Sequence, residues 1–309
     1  MAAQLVWTVT ELPDVTDVQL TVEGSPLRLP SAPLVQDQAT WEQFDPNRLP
    51  DSAIGLFARR GTIREIHDSS STPISGPLGN GRFLARAPAI SPDGGLVAAL
   101  SADGGAAVSQ ERFLPSDLTT VLVGNDLAAP SIDGGGAIWL ADRVGGGTRI
   151  WVQPRDGRIQ QVSSPELRHR HVIAMETALD GARVAVLVRG PDQQGQLLIG
   201  RVVRGGGTVE LQALRPVEDS LSDLRDITWS TADTLVGLGR RRGSPPQPFQ
   251  IGIDGSIVEV AGTTLQGIDS LAAAPEFALL AATADGQIRQ LDGAAWQLLF
   301  RGRDPAYPG

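Results

Sequence analysis

The sequence contains neither cysteine nor lysine among its 309 residues. The lack of cysteine excludes disulfides, cysteine-ligated zinc, iron–sulfur clusters and thiol nucleophiles from this chain. The lack of lysine excludes lysine-dependent phosphate loops, Schiff-base chemistry and serine–lysine dyads. All 26 cationic side chains are therefore arginines, a usage that is typical of proteins from GC-rich genomes.

Positive charge is also scarce, since 35 acidic residues leave a formal net charge of −9. Nucleic-acid-binding proteins concentrate positive charge on one surface, so we expect no nucleic-acid partner. No apolar run reaches the roughly 18–20 residues that a membrane span requires. The start at Met1 shows no basic region followed by an apolar stretch, so we expect no secretion signal in these residues and a chain that is soluble by itself.

Glycine and proline, in contrast, are abundant, with 36 and 22 copies spread along the chain. This distribution is typical of turns between many short strands. A short motif also restarts along the sequence, in which an acidic residue, usually beside glycine, precedes an apolar run. The anchors of the clear copies are Asp93, Asp133, Asp180, Asp233 and Glu276, and a weaker copy lies at Asp51. With a second turn in each unit, the repeat holds about four strands in about 45 residues, the size of one propeller blade.

We therefore predict an all-β fold, a β-propeller over residues 31–309. Six blades fit the repeat best, and five are the alternative; the first copy, over residues 39–67, is short by one strand. A β-sandwich is the competing fold, although it has no reason to restart one motif five or six times. Trp41 and Trp296 lie near the point of ring closure, and we expect them to pack that seam.

Residues 1–30 follow a different pattern. Apolar residues from Leu5 to Leu12 have helical spacing, and Val15 to Val22 alternates as a strand that a turn follows. One helix and a hairpin cannot bury a core alone. We therefore predict that residues 1–30 are the C-terminal remnant of a preceding α/β domain.

Two arginine-rich segments stand out against the acidic background. The first consists of Arg168, His169, Arg170 and His171. The second consists of Arg240, Arg241 and Arg242 and lies where we expect the loop of a strand hairpin. Because arginine binds carboxylates bidentately and is favoured at interfaces, we predict partner-contact loops here, with plain solvated loops as the alternative. On a strand, the spacing of the two histidines would place both on one face, but the flanking arginines would repel a cation. We expect no metal and no cofactor.

No catalytic constellation is evident, because most aspartates stand next to glycine as turn formers and no Gly-x-Ser-x-Gly elbow occurs. The leading hypothesis is a non-catalytic binding module. The rival is an enzyme or ligand-binding protein that acts on cell-wall material at the central funnel, where the innermost strands supply Asp226 and Asp269. A third alternative is a scaffold that docks the preceding domain.

The order of motifs along the whole chain resembles the actinobacterial lipoprotein LpqB family. Ala3–Pro13 with Val18–Val22 resembles the end of a GerMN domain, and blades of the Ser91-Pro92-Asp93-Gly94 type with the closing Arg303–Gly309 resemble the propeller that follows it. The resemblance implies a protein that is lipid-anchored on the extracytoplasmic face of the cell membrane. The lipid-bearing cysteine and most of the GerMN domain are not among these residues, so the anchor is implied for a longer parent protein.

The same resemblance implies two partners. One is the extracellular domain of a sensor histidine kinase, MtrB, whose signalling in cell-envelope homeostasis the protein would modulate. The other is the protein's own N-terminal GerMN domain. Neither implication assigns a role to any residue.

Overall fold

The computed structural model describes residues 2–10, 12, 14–30, 32–45, 47–114, 117–190, 194–217 and 220–309. The chain divides into two compact units, Met1–Arg48 and Leu49–Gly309. The predicted domain boundary after residue 30 stays a prediction, because compactness alone does not show where a conserved domain ends.

The first unit holds one helix and four very short strands. They are α1 (Ala2–Thr10), β1 (Val18–Gln19), β2 (Thr21–Val22), β3 (Ser25–Pro26) and β4 (Val35–Gln36), followed by a 3-10 helix at Ala39–Phe44. β2 and β3 form a tight hairpin, and β1 pairs with β4. The indole of Trp7 donates to the carbonyl oxygen of Trp41, whose own indole donates to Gln36 Oε1 at 2.8 Å. These bonds join the helix, a strand and the 3-10 segment into one unit.

The second unit consists of six four-stranded antiparallel sheets, which confirms the predicted six-bladed β-propeller. In chain order the strands are β5 (Leu56–Arg59), β6 (Thr62–His67), β7 (Ser70–Pro73), β8 (Ala85–Ile90), β9 (Leu96–Ser101), β10 (Ala106–Glu111), β11 (Thr119–Val123), β12 (Ser131–Ile132), β13 (Ile138–Val144), β14 (Gly147–Gln153), β15 (Gln160–Val162), β16 (Val172–Thr177), β17 (Arg183–Arg189), β18 (Gly195–Gly205), β19 (Thr208–Pro216), β20 (Ser222–Trp229), β21 (Thr234–Arg240), β22 (Gln247–Gly252), β23 (Val258–Val260), β24 (Ile268–Ala272), β25 (Leu280–Thr283), β26 (Gln287–Asp292), β27 (Ala295–Arg301) and β28 (Arg303–Ala306).

Blade 1 combines β28 with β5, β6 and β7, and each later blade takes the next four strands in order, from β8–β11 in blade 2 to β24–β27 in blade 6. The first strand of each blade is the innermost, and these six strands contact one another around the axis. A short helix, α2 (Pro77–Asn80), lies between β7 and β8, and a 3-10 turn at Pro165–Leu167 follows β15.

Apolar packing between neighbouring blades forms the core. Six clusters of buried residues fill the six interfaces between blades. The second strands, such as β9 and β17, are buried on both faces because they lie between two such clusters, and their apolar runs therefore do not alternate. Trp139 and Trp229 belong to these clusters, and the half-buried Trp151 packs against the cluster between blades 2 and 3.

The ring closes through the C-terminal strand. β28 pairs with β5 and supplies the strand that the first repeat lacks. Phe57 and Phe300 stack at the closure with ring centroids 5.3 Å apart, and a side chain at Gly302 would overlap the Phe57 ring. The expectation that Trp296 packs this seam is wrong, since it packs against the apolar cluster of blades 5 and 6. Trp41 belongs to the first unit.

The antiparallel pairing sorts the loops onto two ends of the propeller. The connection end carries the hairpins between second and third strands and the segments that lead to the next blade, among them residues 145–146, 163–171 and 241–246. The turn end carries the acidic turns between first and second strands, among them residues 91–95 and 133–137, and the loops between third and fourth strands.

Ion pairs join blades at the turn end. An arginine at or just after the end of the third strand of blades 2, 3 and 4 reaches a carboxylate of the preceding blade. The pairs are Arg112 with Glu65 at 2.8 Å, Arg155 with Asp93 at 2.7 Å and Arg204 with Asp133 at 2.6 Å. Two of these acids are the anchors of the sequence repeat, so the residue that forms the turn also binds the adjacent blade.

Asp133 shows how completely such an anchor is satisfied. Its side chain is buried and accepts the backbone N–H groups of Gly135 and Ala137, both at 3.0 Å. It also accepts the indole N–H of Trp139 at 2.9 Å and a guanidinium N–H of Arg204. Four donors therefore converge on one carboxylate between two blades.

Replacing Asp133 by alanine should destabilise the propeller strongly. Asp133→Ala leaves buried donors and a guanidinium without their acceptor, and we expect a loss of about 3–5 kcal/mol in the free energy of unfolding. Urea denaturation followed by tryptophan fluorescence measures it. Asp254→Ala is the matched control, because the side-chain bonds of Asp254 stay within its own turn. Equal losses in the two variants would contradict the interblade role.

Candidate functional site

Both arginine-rich segments lie at the connection end. The segment from Arg168 to His171 lies between β15 and β16, on the way from blade 3 to blade 4. The segment from Arg240 to Arg242 begins at the last residue of β21 and leads into the hairpin that ends at Gln247, as the sequence indicates. The fold thus brings two basic segments to one end of an acidic protein.

Protein contacts engage most of the second segment. Arg240 pairs with Asp223 at 3.0 Å. Arg241 donates to the carbonyl oxygen of Val258 at 2.6 Å and lies over the ring of Phe249. Arg242 is exposed, and no contact within the described part of the chain engages its side chain. Of the three guanidinium groups in this segment, that of Arg242 is therefore the one available to a partner.

The first segment is a turn rather than a strand. β16 begins only at Val172, so the two histidines do not share a strand face. His169 is exposed, whereas burial and the charges of Arg143 and Arg189 lower the pKa of the half-buried His171 and so disfavour its imidazolium form. Across the described residues, no group of three or more histidine, aspartate and glutamate side chains is arranged to hold a metal ion.

The start of β14 holds the first segment in place. The Thr148 hydroxyl donates to the carbonyl oxygen of Arg170 at 2.8 Å and accepts the N–H of Val172 at 3.0 Å. A Cβ atom at Gly147 would overlap the carbonyl oxygen of Arg168, so only glycine allows this close approach. The backbone that carries Arg168 is therefore fixed by blade 3.

A polar cavity of about 380 Å³ lies beside this segment, and we name it the blade 3 pocket. Its wall includes the side chains of Arg149, Arg168, His169, Ser163 and Ser164. Sequence analysis predicted Arg168 and His169 as contact residues, but not the other three. In the sequence, Arg149 is simply one polar residue of an alternating strand. Only the fold shows that β14 and the segment after β15 face the same space.

The innermost strands enclose a second cavity on the propeller axis, of about 100 Å³. Glu176, Asp226 and Asp304 line it. Asp269, the other acid that the enzyme hypothesis requires, is exposed and is not part of its wall. The structure therefore does not bring the predicted acidic pair into one cavity.

The channel acids bind backbone groups of adjacent blades. Asp226 accepts the N–H of Leu271 at 2.7 Å, and Asp304 accepts the N–H of Ala87 at 3.0 Å. Hydroxyls perform the same task elsewhere on the innermost strands, where Ser131 accepts from Thr177 and Thr228 accepts from Ala273. In each case a side chain of one innermost strand binds the main chain of the next.

Burial raises the pKa of two carboxyl groups in the channel. It raises the pKa of Asp226 to about 7, with smaller contributions from the charges of Asp304 and Asp269, although hydrogen bonds from backbone N–H groups oppose the rise. Burial, with the charge of Asp226, also raises the pKa of Glu176 well above its usual range. These shifts arise from desolvation in a space well below the roughly 300–1,000 Å³ of typical ligand sites.

The stability of the propeller should depend on pH through Asp226. Because the folded pKa lies above the ordinary value of 3.8, the stabilisation is fully present below that pH and is lost as the pH rises through about 7. Asp226→Asn removes this dependence. We expect the variant to gain on the order of 2 kcal/mol relative to the unmodified chain between about pH 5 and pH 8. Urea titrations at both pH values measure it.

Asp285→Asn is the control for this experiment. The Thr283 hydroxyl lowers the pKa of Asp285, so this variant should keep a constant difference from the unmodified chain across the same pH range. A constant difference for Asp226→Asn as well would show that Asp226 ionises normally.

Solved structures support the fold. TolB from Acinetobacter baumannii superimposes with a TM-score of 0.64 at 17% identity, over 84% of this chain and 68% of that chain. At this identity the likeness concerns the fold alone. No helix among the described residues has the length and apolar character that crossing a bilayer requires.

Sequence relatives identify the family. Lipoprotein LpqB from Thermobifida fusca (strain YX) is 30% identical over 100% of this chain and 56% of its own length. Lipoprotein LpqB from Streptomyces avermitilis is 32% identical over 77% of this chain and 41% of its own length. The chain thus spans about half the length of the curated relatives it matches.

Two family models match in the predicted order. Residues 1–28 match the family described as "Sporulation and spore germination", and residues 61–308 match the "Lipoprotein LpqB beta-propeller domain". The resemblance noted in the sequence is confirmed, and the chain belongs to the LpqB lipoprotein family.

Proposed function

We propose that this chain is a non-catalytic binding module of an extracytoplasmic, membrane-anchored lipoprotein. Its partner is the extracellular domain of an MtrB-type sensor histidine kinase, whose signalling it modulates. The observation that carries the proposal is the placement of Arg168–His171 and Arg240–Arg242 at one end of the propeller. Family membership supports the lipoprotein context.

A rigid surface suits this role. Backbone-to-side-chain bonds tie successive innermost strands, so the connection end keeps its shape and little ordering entropy is lost on binding. Arg242 and Arg168 are exposed on that end, and within the described residues neither has an acidic partner. Arginine forks recognise carboxylates with defined geometry, which favours a partner surface that carries acidic residues.

The central channel favours binding over catalysis. Its cavity of about 100 Å³ is too small for a glycan ring with its substituents or for a peptide. Two of its three acids are occupied by backbone N–H groups of adjacent blades. An enzyme that acts on cell-wall material at this funnel therefore remains the weaker alternative. The protein's own GerMN domain is the second partner that we propose.

Charge reversal at Arg242 should weaken the kinase complex. We expect Arg242→Glu to reduce the affinity for the purified kinase extracellular domain by about tenfold, chiefly at low salt, because a favourable interface charge becomes repulsive. Biolayer interferometry with the full chain measures the dissociation constants.

Arg158→Glu is the matched control. Arg158 is also an exposed arginine, but it lies in the loop between β14 and β15 at the turn end. The proposal predicts that this variant binds like the unmodified chain. Undetectable binding of the unmodified chain, or equal weakening in both variants, would refute it.

A further inference from the structure

The blade 3 pocket has the size of a small-molecule site. Its volume of about 380 Å³ lies within the range of about 300–1,000 Å³ that ligand pockets occupy, and it is nearly four times that of the channel cavity. The end of β13, the start of β14 and the segment after β15 form its wall. The three elements belong to one blade and its outgoing connection, so the pocket needs no second chain for completion.

Charge in this pocket is of one sign. Arg149 comes from β14, and Arg168 and His169 come from the segment between β15 and β16. No acidic residue is among the described side chains of the wall. Like charges beside one cavity favour an anionic ligand there.

The two arginines of this pocket have no acidic partner among the described residues, although acids are plentiful in this protein. Acidic residues outnumber arginines by 35 to 26. At least eight arginines form ion pairs within the described residues, including the interblade pairs at the turn end. Arg149 and Arg168 make none there, although they line the same cavity. The pocket is therefore a place where positive charge is kept available.

The hydrogen-bond donors of the pocket favour a phosphate ligand over a carboxylate. The two guanidinium groups only donate, and the hydroxyls of Ser163 and Ser164 add donors beside them. A carboxylate carries one charge and is satisfied by one arginine fork, whereas a phosphate ester carries up to about two charges and three acceptor oxygens. The contacts at Thr148 and Gly147 fix the backbone of the segment that carries Arg168.

We propose that the blade 3 pocket binds a phosphate group carried on a small polar moiety, with Arg149 and Arg168 as its principal ligands and His169, Ser163 and Ser164 as further donors. The polar wall excludes a ligand that is recognised mainly through apolar surface. The phosphate belongs either to a soluble phosphate ester or to a phospholipid headgroup. This site does not depend on kinase binding, which the Arg242→Glu variant in the hairpin after β21 tests separately.

Isothermal titration calorimetry with sn-glycerol 3-phosphate and inorganic phosphate tests the proposal, with succinate, a dicarboxylate of similar charge, as the carboxylate probe. We expect both phosphates to bind and succinate to bind at least tenfold more weakly. Arg149→Gln with Arg168→Gln should reduce phosphate affinity at least tenfold. Arg158→Gln is the control, since it removes one exposed arginine from the opposite end of the same blade. Urea denaturation confirms that each variant folds.

Vesicle flotation distinguishes the two sources of phosphate. The site is assigned to a headgroup if the chain binds phosphatidylglycerol vesicles but not phosphatidylcholine vesicles, and if the double variant abolishes this binding. Binding of the soluble phosphates without vesicle binding assigns it to a soluble ester. Absence of binding to every phosphate probe, succinate binding as tight as phosphate, or unchanged affinity in a folded double variant would overturn the proposal.

Discussion

The ring depends on side chains of innermost strands that accept backbone N–H groups from the next blade, which the described residues show for β12, β20 and β28. Asp226, Asp304, Ser131 and Thr228 all do this, although their side chains differ in chemistry. A buried N–H without an acceptor is costly, so each of these bonds fixes the position of one blade against the next. The six apolar clusters then fill interfaces whose geometry is already set. A rigid platform follows from local hydrogen bonding as much as from apolar burial.

This construction determines where reactive groups remain. Carboxylates in the channel and at the turn end are bound to main-chain groups or to arginines, which leaves them poorly placed to act on a substrate. The connection end carries no comparable set of interblade arginine–carboxylate pairs among the described residues. Arg149, Arg168 and Arg242 lie at that end without an acidic partner among the described residues. The two ends of the propeller thus differ: interblade ion pairs join blades at the turn end, and both proposed binding surfaces lie at the connection end.

Several features of this fold were predictable from the sequence because they are local. The acidic turns mark each blade, and the first repeat was predicted to be short by one strand, which β28 supplies. The interblade pairs were not predictable, since Asp133 and Arg204 meet only when two sheets adopt their relative register. The same holds for Arg149 and Arg168, which lie on different elements. The two histidines were misplaced because β16 begins one residue after them.

The distribution of arginine pairing connects the two proposed binding surfaces to the fold. Arg240 pairs with Asp223. Arg241 is held instead by a carbonyl oxygen, and its neighbour Arg242 is left to solvent. In the blade 3 pocket, glycine at position 147 and threonine at position 148 hold the segment so that two arginines face one space. Positive charge left free by such backbone geometry favours an anionic ligand or partner.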